Sequence, residues 1–270
     1  MSKTASFSQL FIRFVALPLL FIAGVQLYIL SEHTDIYFAW TIALPLTAAF
    51  MGAGFWAAMI AAYMSWWQSA SVSLRLTGLT SVAATGILGV ATFIHLDKFH
   101  LNSPVFATRF VTWVWILVYV VTPFIFLWLW LRHGRTADDT MGAKPLPQWV
   151  RWGYLFQAVL LVPAGLLLFL MPATLIPFWA WKLTPLTARA ISAWLTAYGV
   201  ACVAVNRENN SFNTKGTRAS LFAFCVLQFI ALARYFSSFD LTKPFAWVYV
   251  LVLLVGVIVA IPGLISKYSE

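Results

Sequence analysis

The chain has 270 residues, of which 62% are hydrophobic and only 9% charged, against roughly 25% charged residues in an ordinary soluble domain. Apolar runs of about 20 residues recur, each long enough to cross a hydrocarbon core of about 30 Å. Because those runs are continuous rather than alternating, they exclude a transmembrane β-barrel. The net charge of +9 belongs mostly to residues flanking the apolar runs, as in membrane helices. No basic helix is interleaved with exposed aromatics, which excludes nucleic acid as a partner.

The expected fold is therefore an all-α integral membrane protein. Eight spans are predicted, over about 10–30, 39–67, 74–97, 106–132, 150–171, 184–206, 217–237 and 244–266. The first follows Lys3 and Arg13 and is not followed by an A-x-A-like cleavage site, so it reads as a retained helix rather than a signal peptide. The second carries Ala49, Ala53, Ala57 and Ala61 at i, i+4 spacing, a small-residue stripe that lets helices approach closely in lipid. The third ends in FIHLDKFH, Phe93 to His100. After the fourth comes the only long connection, HGRTADDTMGAKPLPQW over 133–149, polar and Pro/Gly-containing. The sixth repeats the small-residue stripe as Ala193, Ala197 and Ala201. Cys202 and Cys225 fall in the sixth and seventh spans with no CxxC or Cys/His spacing, and read as small packing residues. Trp40, Trp66, Trp67, Trp179 and Trp181 lie near span ends and fit an interfacial aromatic belt.

The two halves resemble one another. Pro45-Leu46-Thr47-Ala48 recurs as Pro185-Leu186-Thr187-Ala188, and Phe11-Ile12-Arg13-Phe14 matches Trp149-Val150-Arg151-Trp152. Phe93-Ile94-x-Leu96-x-Lys98-Phe99 matches Phe229-Ile230-x-Leu232-x-Arg234-Tyr235, and Trp113-Val114-Trp115 matches Trp247-Val248-Tyr249. The reading is a tandem duplication: a first four-helix repeat over 1–133, a linker over 134–149 and a second repeat over 150–270. An even number of spans per repeat gives both the same orientation and a pseudo-two-fold axis along the membrane normal. Lys and Arg divide 11 against 6 between the two sides. Both termini are accordingly expected in the cytoplasm of a bacterial-type inner or plasma membrane.

Arg189 is the residue that most needs explaining. It precedes Ala193 by four and so heads a packed stripe, where an arginine costs about 2.5 kcal/mol or more and usually has a partner. Thr184-Pro185 reads as N-cap and N1 of the sixth span, which puts Arg189 about 6 Å inside the helix start, beside free N–H groups that favour an anion. Lys182 and Trp181 are nearby in sequence. Asp97 is the expected carboxylate partner if Arg189 only closes an ion pair. On a helix, Asp97 and His100 would share a face, as would His95 and Lys98, so His95, Asp97 and His100 are weak metal candidates. A transition-metal site usually takes three or four protein ligands, and the competing reading is an interfacial helix end with paired charges and a backbone-bonded histidine. No metal is assigned. No cofactor is predicted either, haem included, because the second half contains no histidine to face another.

Three functional readings follow. The first is binding, and by extension transport, of a small anionic or amphipathic ligand at the extracytoplasmic face between the repeats, through Arg189, Lys182, Thr184, Trp181 and Asp97. The second is an accessory or structural subunit whose partner is another membrane protein or a second copy. The third is a membrane-embedded enzyme using Asp97 and His100 as an acid–base pair. No H-E-x-x-H, G-x-S-x-G or Walker motif supports a particular enzyme class.

Overall fold

The computed structural model describes residues 12–133 and 144–265, so most of the predicted linker and both termini lie outside the described residues. The first helical run consists of α1 (Leu17–Gly24) flanked by π-helical turns Ile12–Ala16 and Val25–Ile29. There follow the short α2 (Thr34–Tyr37), α3 (Pro45–Ser65), α4 (Ala70–Ile94) and α5 (Phe106–His133). The second half contains α6 (Gln148–Leu170), the short α7 (Pro172–Leu175), α8 (Pro185–Glu208), α9 (Lys215–Arg234) and α10 (Pro244–Ile265). No strand forms among the described residues, and the one isolated β-bridge joins Trp40 to Phe99. Seven helices are long and apolar enough to cross a membrane, namely α3, α4, α5, α6, α8, α9 and α10. This is a multi-pass helical membrane protein. The first predicted span is an apolar helix, Phe14–Ile29, shorter than those seven.

The two proline-led helices start where backbone chemistry requires. Proline donates no N–H and keeps the preceding residue out of the α region. Leu44 accordingly has φ −108°, ψ 116°, and Thr184 has φ −94°, ψ 163°. The second span therefore begins at Pro45, six residues later than the apolar run suggested. Residues 38–44 and 178–184 instead run across one end of the bundle. Each is pinned from the far side: His100 N–H donates to Ala39 O at 2.9 Å, and Asp240 N–H donates to Ala180 O at 2.7 Å.

α8 is the central helix. In its apolar window 72% of the residues are buried, against 17% for α5, which turns Phe106, Phe110, Trp113, Leu117 and Phe124 outward. α8 packs on α6 and on α4, while α3 packs on α1 and on α9. The small-residue stripes face inward: Ala49, Ala53 and Ala57 are buried, as are Ala193, Ala197 and Ala201. Small residues supply the close van der Waals approach that holds helices together in lipid.

Two aromatic plugs seal the end of the bundle under the extended segments. Trp40 packs against Phe38, Phe99 and Trp115, with Trp115 edge-on at 5.0 Å. Trp181 packs against Trp179, Phe239 and Tyr249, with Tyr249 edge-on at 5.4 Å. Trp40 and Trp181 are thus 2% and 4% exposed and do not belong to an interfacial belt, because the extended segments fold their rings inward. Trp67, at 66% exposed, does fit a belt. The plugs differ in one hydrogen bond. Trp181 Nε1 donates to Thr47 Oγ1 at 2.9 Å, whereas the buried Trp40 Nε1 has no acceptor. The corresponding threonine, Thr187, is occupied in its own helix cap.

Candidate functional site

The start of α8 is built locally. Thr184 Oγ1 accepts from the Thr187 N–H, and Thr187 Oγ1 accepts from the Thr184 N–H, a reciprocal capping box with Pro185 at N1. That geometry fixes the rotation of α8 and presents Arg189 to the C-terminal ends of two neighbours. Arg189 Nε donates to Phe169 O at 3.2 Å, one residue before α6 ends, and the guanidinium lies 5.9 Å above the Phe169 ring. Its Nη1 donates to His95 Nε2 at 2.7 Å, and His95 is the C-cap of α4. A cation here satisfies a carbonyl that the helix itself cannot and sits at the negative end of the α6 dipole.

His95 accepts through Nε2 and so carries its proton on Nδ1. Burial, and then the Arg189 guanidinium, hold its pKa below the usual 6.5. The folded state therefore prefers the neutral ring, and the unfolded chain binds the extra proton more readily. Stability from this contact is complete above about pH 6.5 and is lost as pH falls below it toward the lowered folded pKa. The thermal midpoint of the wild type should consequently fall between about pH 7 and 5. In His95→Gln, whose amide oxygen can still accept from Arg189, that part of the pH dependence should vanish. A midpoint profile unchanged by the substitution would refute the assignment.

The other predicted site residues scatter. Asp97 does not meet Arg189. α4 ends at Ile94, and a 3₁₀ turn, Leu96–Lys98, carries Asp97 outward to pair with Lys98 at 2.9 Å, both side chains about two-thirds exposed. The lysine hydrogen bond holds the Asp97 carboxyl below the usual carboxylate range. The same helix end removes the shared faces expected for Asp97 with His100 and for His95 with Lys98. His100 lies beyond the turn, donating from Nδ1 to Phe38 O at 3.1 Å and accepting at Nε2 from the Thr41 hydroxyl at 3.0 Å. Both its ring nitrogens serve to hold the extended segment. Among the described residues, no three His, Cys, Asp or Glu side chains converge. Lys182 and Thr184 are exposed. Trp181 is turned toward α3 and α10, away from the α4 and α6 ends that Arg189 meets. The structure therefore brings together Arg189, His95 and the Phe169 carbonyl, while Lys182 is exposed, Trp181 bonds to α3 and Asp97 pairs with Lys98.

A contrast lies at the end of the first helical run, in the π-helical turn Val25–Ile29. Arg234, at the end of α9, donates from Nη1 to Tyr28 O at 2.8 Å, with Nη2 3.4 Å from Ile29 O. This guanidinium also has a carboxylate, Glu32, at 3.7 Å. Arg189 contacts only neutral acceptors.

Two features away from this end were not legible as site chemistry. Arg218, counted from sequence as a flanking charge, is 1% exposed. Cys202 and Cys225, read as packing residues, are buried but hydrogen-bonded: Cys202 Sγ is 3.6 Å from Gln157 Oε1, and Cys225 Sγ is 3.1 Å from the Tyr198 hydroxyl.

Compared with family models, curated proteins and solved structures, the chain matches none. The class established is that of a multi-pass helical membrane protein, and the functional reading rests on the geometry above.

Proposed function

We propose that this membrane protein binds a small anionic or amphipathic ligand through Arg189, at the extracytoplasmic face between two same-orientation four-helix repeats, with transport as the natural extension. The carrying observation is that Arg189, half-buried where α4, α6 and α8 meet, is hydrogen-bonded to a carbonyl and a neutral imidazole and to no carboxylate. Its charge is left for a ligand to neutralise. A guanidinium still has donors to offer after two hydrogen bonds, in a planar fork suited to carboxylate or phosphate. The duplication is supported by the exchange of partners across the halves, α3 with α9 and α8 with α4. It is also supported by the paired plugs Trp40–Phe99 and Trp181–Phe239. The helix ends correspond as well: His95 and Tyr235 cap α4 and α9 with nearly the same backbone angles, φ −122° in both. This register lies one helical turn beyond the sequence match of Phe93 with Phe229. The excess of Lys and Arg on one side supports cytoplasmic termini.

A native mass spectrum of the protein released gently from its own membrane tests the reading. The wild type should carry a reproducible extra mass, and Arg189→Ala should lose it. A bare wild-type chain, or an Arg189→Ala chain that carries the same set of bound masses as the wild type, would overturn the site. Co-released protein chains would move the conclusion to an accessory subunit.

A further inference from the structure

The largest unexplained polar group lies at the other end of α8. Arg218, in the first turn of α9, is 1% exposed, and neither its Nε nor its Nη2 has an acceptor. Beside it, within electrostatic reach of the guanidinium, is the fully buried Tyr154 on α6, whose hydroxyl has no partner in good hydrogen-bond geometry. Arg151, one turn earlier and on the same face of α6, has a buried Nε with no acceptor. Gln157 and Tyr198, deeper in the bundle, are already committed. Gln157 Nε2 donates to Val252 O at 2.9 Å while its Oε1 faces Cys202, and Tyr198 pairs with Cys225. Among the described residues, Glu208 is the one carboxylate at this end. It is held by Arg75 at 3.0 Å and by Asn213 at 2.7 Å.

Arginine does not shed its proton in proteins, so Arg218 stays charged. A buried charge left without a counter-ion is strongly destabilising. Nothing within the described chain supplies the compensation, and the orphaned groups are donors: two arginine side chains and a hydroxyl that can turn its hydrogen inward. A ligand that only accepts, with several oxygens and a negative charge, matches that set, and the guanidinium fork suits phosphate oxygens in particular.

We infer that Arg218, Tyr154 and Arg151 form a buried binding site for a phosphate-class oxyanion, carried either by a lipid headgroup or by free phosphate. This site is separate from Arg189 and independent of the function proposed for it.

The test is thermal unfolding of the full chain under two sets of conditions. In nonionic detergent, inorganic phosphate is compared with chloride at matched ionic strength. In nanodiscs, phosphatidylcholine is compared with phosphatidylcholine plus phosphatidylglycerol. The wild-type midpoint should rise with the anion. Arg218→Met should lose the response, and Tyr154→Phe, which removes only one donor, should need about tenfold more anion for the same shift. A response to phosphate assigns a free oxyanion, and a response to phosphatidylglycerol alone assigns a lipid headgroup. Either result supports the site. No response in the wild type would mean that water alone solvates Arg218, and an undiminished response in both variants would place the anion elsewhere. Each of these would overturn the inference. If Arg218→Met does not fold, Tyr154→Phe carries the decision.

Discussion

Gly165→Leu should leave almost no monodisperse protein after detergent extraction, whereas Gly86→Ala should behave as well as the parent or better. A Cβ on Gly165 would overlap Thr196 Oγ1 and come within 2.9 Å of both Ser192 O and Thr196 N. Two of those three obstacles are backbone of α8, the most buried helix, so no side chain can swing aside to make room. The contact is reciprocal, since a Cβ on Gly199 would lie 3.0 Å from Val162 N and 3.3 Å from Leu161 Cβ. Overpacking typically costs about 1–3 kcal/mol when neighbours can shift. Here the shift would separate α6 from α8, and a cost of about 3 kcal/mol or more is expected. Gly86 has nothing within 4 Å of its added Cβ. Alanine there should gain about 0.5–1 kcal/mol from the smaller entropy loss in the helix. Fluorescence-detected size exclusion of both tagged variants, followed by thermal midpoints, checks the pair. A sharp Gly165→Leu peak with the parental midpoint would show that the α6–α8 contact does not limit stability.

The spans and the central packing were readable because their causes are local. Pro45 and Pro185 start helices wherever they occur in such a pattern, Thr184 caps its own helix, and a stripe such as Ala193, Ala197 and Ala201 marks a packed face without reference to its partner. What the sequence did not reveal depends on distant chain. FIHLDKFH looks helical throughout, but Phe99 bridges Trp40 and His100 N–H is taken by Ala39 O. Those long-range contacts end α4 at Ile94 and commit His100 to Phe38 and Thr41, away from Asp97 and His95. Trp40 and Trp181 sit near span ends exactly as belt residues do in one dimension; only the fold of the extended segments turns them into plugs. Arg189 was recognisable as a residue needing a partner, but the partner is a helix end and a histidine rather than a carboxylate. Arg218 gave no signal, because a positive residue after a loop is the usual flank of a membrane helix. Its burial depends on α6 bringing Tyr154 alongside.

Arg75→Ala should destabilise more than Glu208→Ala, and the double variant should be more stable than the sum of the two losses predicts. Arg75 grips Glu208 with two bonds, Nε to Oε2 and Nη2 to Oε1, each 3.0 Å, and so ties α4 to the last residue of α8. The two side chains are only 21% and 12% exposed, so salt screens this pair less than a surface one. Glu208 stands at the C-terminal end of its helix, where the dipole disfavours an anion by about 0.3–1 kcal/mol. Removing Arg75 leaves that anion in place with Asn213 as its remaining side-chain hydrogen bond. Removing Glu208 instead relieves the dipole conflict. Charge-assisted hydrogen bonds contribute about 1.5–3 kcal/mol, and the residual exposure of the pair lowers the expected coupling to about 1–2 kcal/mol. A double-mutant cycle on thermal or chemical unfolding in detergent measures that coupling directly and cancels whatever else Arg75 touches. A coupling near zero, or a Glu208→Ala loss larger than that of Arg75→Ala, would mean that the pair merely decorates an interface already held by its apolar contacts.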